Sequence, residues 1–522
     1  MIISKAFSPL SVAEQKLVDE IDTPDRITLG DGELPIDPSP DCTVRAELIR
    51  EYLLAENGPL HSKGLRLRGA FISGPLDLQG CSCDRDITLS ACHMSDPINL
   101  VNARMRGFHI SGSNIGAISA DNAEFSGSLY IRSGTVVEGE ISLAGARITG
   151  DFQLCDLVIN STVQDAVFAP SLRVSGSVFL GNYPYSDTAT SLVSTGLLFF
   201  SSARVEHDFF VTNTAINLPT DIVSQAMFGA TEEHGRDMAL SLARARIGGI
   251  LYFKDNQISN GIVNLAGASV ERLKDEPKGP GATYPIRLDG FRYNDFSRHA
   301  DTDVKVRLEW LDRRPPDTPF TAQPYEHLAN VLIALGHRND ARTVLMAKEE
   351  KLRDEHRLQL GRSGSSVTRR ASASVLDWLL KWTIGYGYRP GRSVVVALVM
   401  IAGLGVFFDR VWSAGDMTPN AAPILISADW ISATQTHAEN PAEFWAAKGQ
   451  GGQDWETFYS FAYAADLVIP LVNFGQESAW APSTSRSPLG KVGWWLRWLA
   501  KGIGWIVTAL GAAAITGVIR KE

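Results

Sequence analysis

Apolar residues in the first half of the chain recur in i, i+2 pairs with a longer period of eleven. From Leu65 the pairs read Leu65-x-Leu67 then Ala70-x-Ile72, and Leu76-x-Leu78 then Cys81-x-Cys83. Ile87-x-Leu89 then Cys92-x-Met94 and Ile98-x-Leu100 then Ala103-x-Met105 follow. The register returns at Ile141-x-Leu143 then Ala146-x-Ile148, and at Phe152-x-Leu154 then Leu157-x-Ile159. It fades from Asn160 to Thr195 and is restored at Leu240-x-Leu242 then Ala245-x-Ile247, and at Val263-x-Leu265 then Ala268-x-Val270. Alternation over three residues is a strand signal, because successive side chains point to opposite faces. No unit is long enough for a helix, and Gly69, Gly80, Gly145, Gly150 and Gly249 would penalise one. A strand with one inward pair cannot bury itself, whereas stacked coils make one continuous apolar interior. The pattern predicts a mainly β fold: a β-solenoid over residues 60–300 with two units per coil.

These residues resemble the pentapeptide-repeat group of right-handed β-solenoids, in which a small residue and a Leu or Phe alternate inward every five. GEISLAGARITGDFQL matches best. Spacing of five then six departs from the strict five, so the resemblance is one of architecture. Open solenoid ends expose strand edges that need covering. Residues 1–59 are expected to form a helical N-terminal cap. Its amphipathic helix carries Val44, Leu48, Ile49, Tyr52 and Leu53 behind Asp41 or Thr43 as N-cap. Cys81 and Cys92 occupy the small inward position and Cys83 a large one, so packing is expected of them rather than metal ligation.

After the repeats the period changes. In residues 324–356, Leu328, Val331, Leu332 and Leu335 share one helical face, Gly336 ends the helix, and Ala341, Val344 and Leu345 begin a second face. Tyr325, Leu328, Ala329, Gly336 and Ala341 make this similar to a single tetratricopeptide-type hairpin, and residues 301–370 are expected to be a helical linker capping the solenoid.

Residues 371–522 predict a membrane domain. Val375, Leu376, Trp378, Leu379, Leu380 and Trp382 sit at helical spacing among Arg369, Arg370, Lys381, Arg389 and Arg392, which suggests an interfacial helix over 372–385. An uncharged run then gives a first span over 393–410. A second runs over 502–519, preceded by Trp494, Trp495 and Trp498. Gly403, Gly405, Gly504, Gly511 and Gly517 supply small residues for close helix packing, so a homo-oligomer is expected. Basic residues precede the first span and follow the second, while 414–490 holds only Lys448 and Arg486, which puts both termini in the cytosol. Lys491, Arg497 and Lys501 run against that orientation.

Between the spans, residues 455–478 are too short to cross and are interrupted by Asp466 and Pro470. Their position resembles the re-entrant pore loop of two-helix cation channels, which would give Asp466, Pro470, Asn473, Gly475, Gln476 and Glu477 roles near an axis. TVGYG is absent, and GYGY at 385–388 lies before the first span, so potassium selectivity has no support. An amphipathic helix lying on the outer leaflet is the plainer alternative.

Composition is ordinary and hides this asymmetry. Of 522 residues 44% are apolar, and 49 basic side chains oppose 58 acidic ones for a net charge of −9. No nucleic-acid footprint follows. A mean hydropathy of −0.03 looks soluble, yet 11 of the 12 tryptophans lie after residue 370. Five cysteines do not make a disulfide framework. The opening MIISKAFSPL lacks the apolar run of a secretory signal, which places the N-terminal part in the cytosol. Phosphate-loop, zinc-protease, serine-hydrolase and calcium-loop motifs are absent, and Gly449-x-Gly451-Gly452 is not in a dinucleotide-binding context. His93 and His109 are expected on the solenoid surface as solvated side chains. Neither an enzyme nor a cofactor or metal is indicated.

The order of solenoid, hairpin and paired spans resembles a group of bacterial pentapeptide-repeat-like inner-membrane proteins, some given an oxidoreductase label that no motif here supports. The expected function is a membrane-anchored sensor or effector whose cytosolic solenoid controls an oligomeric pore-like region. Its partners would be the lipid bilayer and a protein bound by the solenoid or hairpin. The alternative is a membrane-tethered scaffold without transport.

Overall fold

The computed structural model describes residues 6–55, 58–163, 165–218, 238–279, 281–298, 300–316, 318–362 and 367–516. The chain divides into two compact units, Met1–Val344 and Leu345–Glu522.

The first unit is a β-solenoid of about nine turns, and its strands pair in parallel from turn to turn. Leu67 is in register with Leu89, Ile110, Ile131 and Leu154, so these turns take 21 to 23 residues, two eleven-residue units each. Each turn has four short faces. In one turn they are Leu65–Arg68, Phe71–Ser73, Leu76–Asp77 and the start of Ser82–Ser90. The inward pairs are buried throughout, Leu67, Ile72, Leu78, Leu89, Met94 and Leu100 among them.

Backbone geometry at the corners explains the period. Twice per turn a residue turns the chain with positive φ, as at Gly69 and Gly80, Ala91 and Asn102, then Ser133 and Gly145. Such a corner suits glycine, and short polar asparagine tolerates it. The corner N–H groups stack as well: Asn102 N donates to Asp121 O, Asn122 N to Ala144 O and Gly145 N to Pro170 O, each at 2.8–2.9 Å.

The fading of the repeat between Asn160 and Thr195 does not interrupt the coil. Strands at Asp165–Phe168, Arg173–Val174, Val178–Gly181 and Leu192–Ser194 continue it. Registers Leu154–Leu180–Val211–Phe253 show turns lengthening to 26, 31 and 42 residues. The parallel registers persist across the added residues, with shifts at Asp165/Val167 and Met238/Leu240.

At the N-terminal end, helix α1 (Val12–Glu20) starts with a Ser11–Glu14 capping box. Helix α2 (Ala46–Leu54) buries Leu48, Ile49, Tyr52 and Leu53. The expected N-cap at Asp41 or Thr43 is corrected: Thr43–Arg45 is a strand paired with Phe71–Ser73, and Arg45 precedes α2 without a side-chain cap. Arg45 is taken instead by Glu14, with Nε 2.7 Å from Oε1 and Nη2 2.7 Å from Oε2. The cysteines differ too. Cys83 and Cys92 are buried, but Cys81, expected in the small inward position, is half-exposed.

Helices α3 (Val304–Leu311) and α4 (Gln323–Ala334) close the other end. Gln323 and His327, one helical turn apart, satisfy the last strand's open edge. Gly290 N donates to Gln323 Oε1 (2.7 Å), Gln323 Nε2 to Phe291 O (3.3 Å) and Tyr293 N to His327 Nε2 (2.9 Å). Gly336 (φ 88) ends this segment, and Ala341 and Val344 of the following helix α5 (Arg338–Arg362) are buried. Leu335, expected inside, is exposed.

Burial chiefly, helped by neighbouring Arg292, outweighs the Tyr293 backbone hydrogen bond and holds the His327 ring below its ordinary value of 6.5. In the unfolded chain the ring takes a proton first as pH falls. Stability from burying the neutral ring is therefore present above about pH 6.5 and lost below it, toward the lower folded-state value. His109, also depressed chiefly by burial, acts in the same direction. Between pH 7.5 and 5 the solenoid's melting temperature is expected to fall less in His327→Gln, which keeps the hydrogen bond without the titration. Equal slopes for both proteins would remove this role.

The second unit contains the rest of α5, then helices α6 (Val367–Ile384), α7 (Gly391–Ser413), α8 (Ala422–Leu425), α9 (Ala428–Thr436), α10 (Pro441–Trp445), α11 (Ser460–Val468), α12 (Gln476–Ala479) and α13 (Pro488–Ile515). Helices α7 and α13 are long and apolar enough to cross a membrane. The second begins 14 residues before the expected span, because Ser487 caps it and Pro488 fits its first turn. On α6, Asp377 accepts from Tyr386 Oη (3.0 Å) and faces Arg353 Nε (3.3 Å), while Val375, Trp378 and Trp382 are exposed. Gly385, Tyr386 and Gly387 all have positive φ and turn the chain from α6 into α7.

Candidate functional site

Helices α7 and α13 run antiparallel. A Cβ on Gly511 would fall 2.6 Å from Ser393 Oγ, and one on Gly493 3.7 Å from the Phe407 ring. Helix α11 packs along both, and two glycines permit it. A Cβ on Gly405 would lie 2.5 Å from the Phe461 ring; one on Gly504 would lie 2.4 Å from Val468 O and 2.8 Å from its Cα. Gly403 meets nothing within 4 Å, and Gly517 lies outside the described residues.

The chain then reverses through 469–475 and enters α12. Gly475 takes φ 83 at the turn. Asp466, 6% exposed, holds the reversal together by accepting from Phe474 N (2.6 Å), Gln476 N (2.8 Å) and Glu477 N (3.1 Å). Asn473 Oδ1 accepts from Gly475 N (2.8 Å). Gln476 is 2% exposed, accepting from Tyr459 N and donating to Thr457 O. Pro470 sits at the half-exposed start of the tip, where Leu471 (82%) and Phe474 (56%) are exposed.

Glu477 accepts from Arg497 Nη2 (3.2 Å) and from Lys501 Nζ (2.9 and 3.0 Å to its two oxygens). Arg497 and Lys501, at i and i+4, share one face of α13. Lys501 lies midway between Gly493 and Gly511, which places it level with the middle of the uncharged run of α7. From the sequence these two cations, with Lys491, read only as evidence against an orientation. Their four-residue spacing opposite an acidic loop was the available signal.

The remaining segment between the two long helices is folded. Trp430, Trp445, Tyr463, Leu467 and Trp480 bury into one cluster with Phe408 and Val411, and Trp412, Trp455 and Phe458 pack on it. Trp480 Nε1 donates to Glu456 O (2.8 Å) and Trp455 Nε1 to Ala479 O (3.2 Å). Arg486 lies 5.3 Å over Trp430 and donates to Met417 O (2.8 Å). These tryptophans form an internal core, which no periodicity in so irregular a stretch announces.

Among the described residues no three His, Cys, Asp or Glu side chains form a metal-holding group. His93 stacks on Phe71 and His109 on Tyr130, each at 4.8 Å, so neither ring is simply solvated. The fold defines a β-solenoid protein with a helical region carrying two helices able to cross a membrane. No protein-family model, curated protein or solved structure matches the chain.

Proposed function

We propose that the chain is a membrane-anchored β-solenoid effector whose cytosolic solenoid controls an oligomeric, pore-like membrane region. The carrying observation is the Glu477–Arg497–Lys501 cluster, on a hairpin wedged between two apolar helices and level with their middle. Ionisable groups at membrane depth are costly and generally line a water-filled path or pair with one another. Irregular backbone such as 469–475 is tolerated there only where protein or a water cavity surrounds it. The exposed Leu471 and Phe474 therefore call for further copies of the chain around an axis. Pairing of Arg497 and Lys501 with Glu477 also lessens their weight against both termini facing the cytosol.

Lipid vesicles containing the protein are expected to leak ions. Glu477→Gln removes one negative charge beside two positive ones, so the reversal potential should shift toward anions. Silent bilayers with folded protein would remove the pore and leave the membrane-tethered scaffold. That reading is favoured by one feature, the complete pairing of Glu477.

A further inference from the structure

The solenoid carries a groove of about 350 Å³ along the face that contains His109 and Gln153. Its wall comes from the lengthened turn between Leu180 and Val211, and that wall is built. Thr190 Oγ1 donates to Gly181 O (2.9 Å), Tyr183 N donates to Thr190 Oγ1 (2.7 Å), and Asn213 Nδ2 donates to Thr190 O (2.8 Å). Tyr183 packs edge-on against Phe179 at 5.2 Å.

Two guanidinium groups line the groove, Arg26 toward its N-terminal end and Arg132 four strand steps, about 19 Å of backbone, further along, and neither has a carboxylate partner among the described residues. Arg68, Arg104, Arg106 and Arg147 of the solenoid pair with Glu or Asp, whereas Arg66, Arg173 and Arg246 show no such pair among the described residues; what sets Arg26 and Arg132 apart is that they line the groove. Arg132 is held ready: its guanidinium stands 4.9 Å over the Tyr130 ring, and Nη1 donates to Gln153 Oε1 (3.4 Å). Gln153 is 1% exposed, and its Nε2 donates to no protein atom among the described residues. Ser111 and Ser90 hydroxyls, 3.1 Å apart, and Thr188 add neutral donors and acceptors, against Asp156 as the carboxylate on the wall.

Unpaired planar guanidiniums recognise phosphate through paired N–H donors. The Gln153 amide beside Arg132 and the hydroxyls between the two arginines suit the hydroxyl groups of a sugar. We propose that this groove binds a small phosphate monoester rich in hydroxyl groups, of the sugar-phosphate class. The proposal is independent of whether the other unit conducts ions, since its readout is binding.

The test is calorimetric titration of the full chain in detergent with glucose 6-phosphate, ribose 5-phosphate, inorganic phosphate and glucose. At least one sugar phosphate should bind at millimolar concentration or below, more tightly than inorganic phosphate, with glucose silent. Arg26→Gln/Arg132→Gln should weaken it by about tenfold or more, the loss of charge-assisted hydrogen bonds. Both side chains are exposed and neither is in an ion pair, so the melting temperature should fall only slightly, by loss of the Arg132–Gln153 and Arg132–Tyr130 contacts, and the variant should stay folded. Absence of sugar-phosphate binding, unchanged affinity in the double variant, or equal affinity for inorganic phosphate would each overturn the proposal.

Discussion

Arg307→Leu is expected to destabilise the solenoid by about 3–5 kcal/mol, the cost of leaving one partner of a buried ion pair alone. Arg307 has no exposed surface and Asp275 only 6%. Two parallel bonds join them, Nη1 to Oδ2 at 2.8 Å and Nη2 to Oδ1 at 2.7 Å, and Nε donates to Asp301 O at 2.6 Å. The guanidinium also lies 4.4 Å over Phe296 and 5.4 Å from Trp310. The pair ties α3 to the last strands, so its loss should unzip the C-terminal turns first. The loss can be read as a lower urea midpoint and as faster amide exchange in 269–296. Asp275→Leu/Arg307→Met should recover most of the stability, because replacing both charges removes the uncompensated one. If the double variant is as unstable as the single, the lost contacts with Phe296 and Trp310 are responsible rather than the orphaned carboxylate.

Asp466→Ala should release the hairpin between the long helices. Three N–H groups lose a charged acceptor, and charge-assisted hydrogen bonds are worth roughly 1.5–3 kcal/mol each before non-additivity. A local loss of about 3 kcal/mol corresponds to more than a hundredfold faster amide exchange at Phe474, Gln476 and Glu477. Asp466→Asn should be intermediate, since the amide keeps one oxygen but turns an NH₂ toward a donor. Unchanged protection of these amides in the alanine variant would show that packing at Gly504 and Val468 holds the hairpin without the carboxylate. In the pore reading such loosening alters conduction indirectly, so Asp466 is a positioning residue and Glu477 the group nearer any ion path.

The solenoid was legible because its signal is periodic. Inward pairs such as Leu65-x-Leu67 and Ile87-x-Leu89 repeat at a spacing imposed by two positive-φ corners per turn, and a period survives without knowledge of contacts. The repeat faded after Asn160 because residues added between strands break sequence spacing while strand registers persist. The cap at 41–43 was misplaced because Thr43–Arg45 looks equally like the start of a helix and a short edge strand. Only pairing with Phe71–Ser73 separates the two.

In the helical region, composition and length by themselves determined two helices able to cross a membrane and an interrupted apolar segment between them. What that segment does with its polar residues was decided by tertiary structure. Asp466 is spent on backbone N–H groups eight to eleven residues on, and Glu477 meets Arg497 and Lys501 across 20 and 24 residues. Likewise Arg26 and Arg132 come to one groove only because successive turns stack them on one face. Periodic burial is a local property repeated many times and can be read along the chain. Pairing of single charges between distant segments depends on which backbones approach, and that approach exists only once the chain has folded.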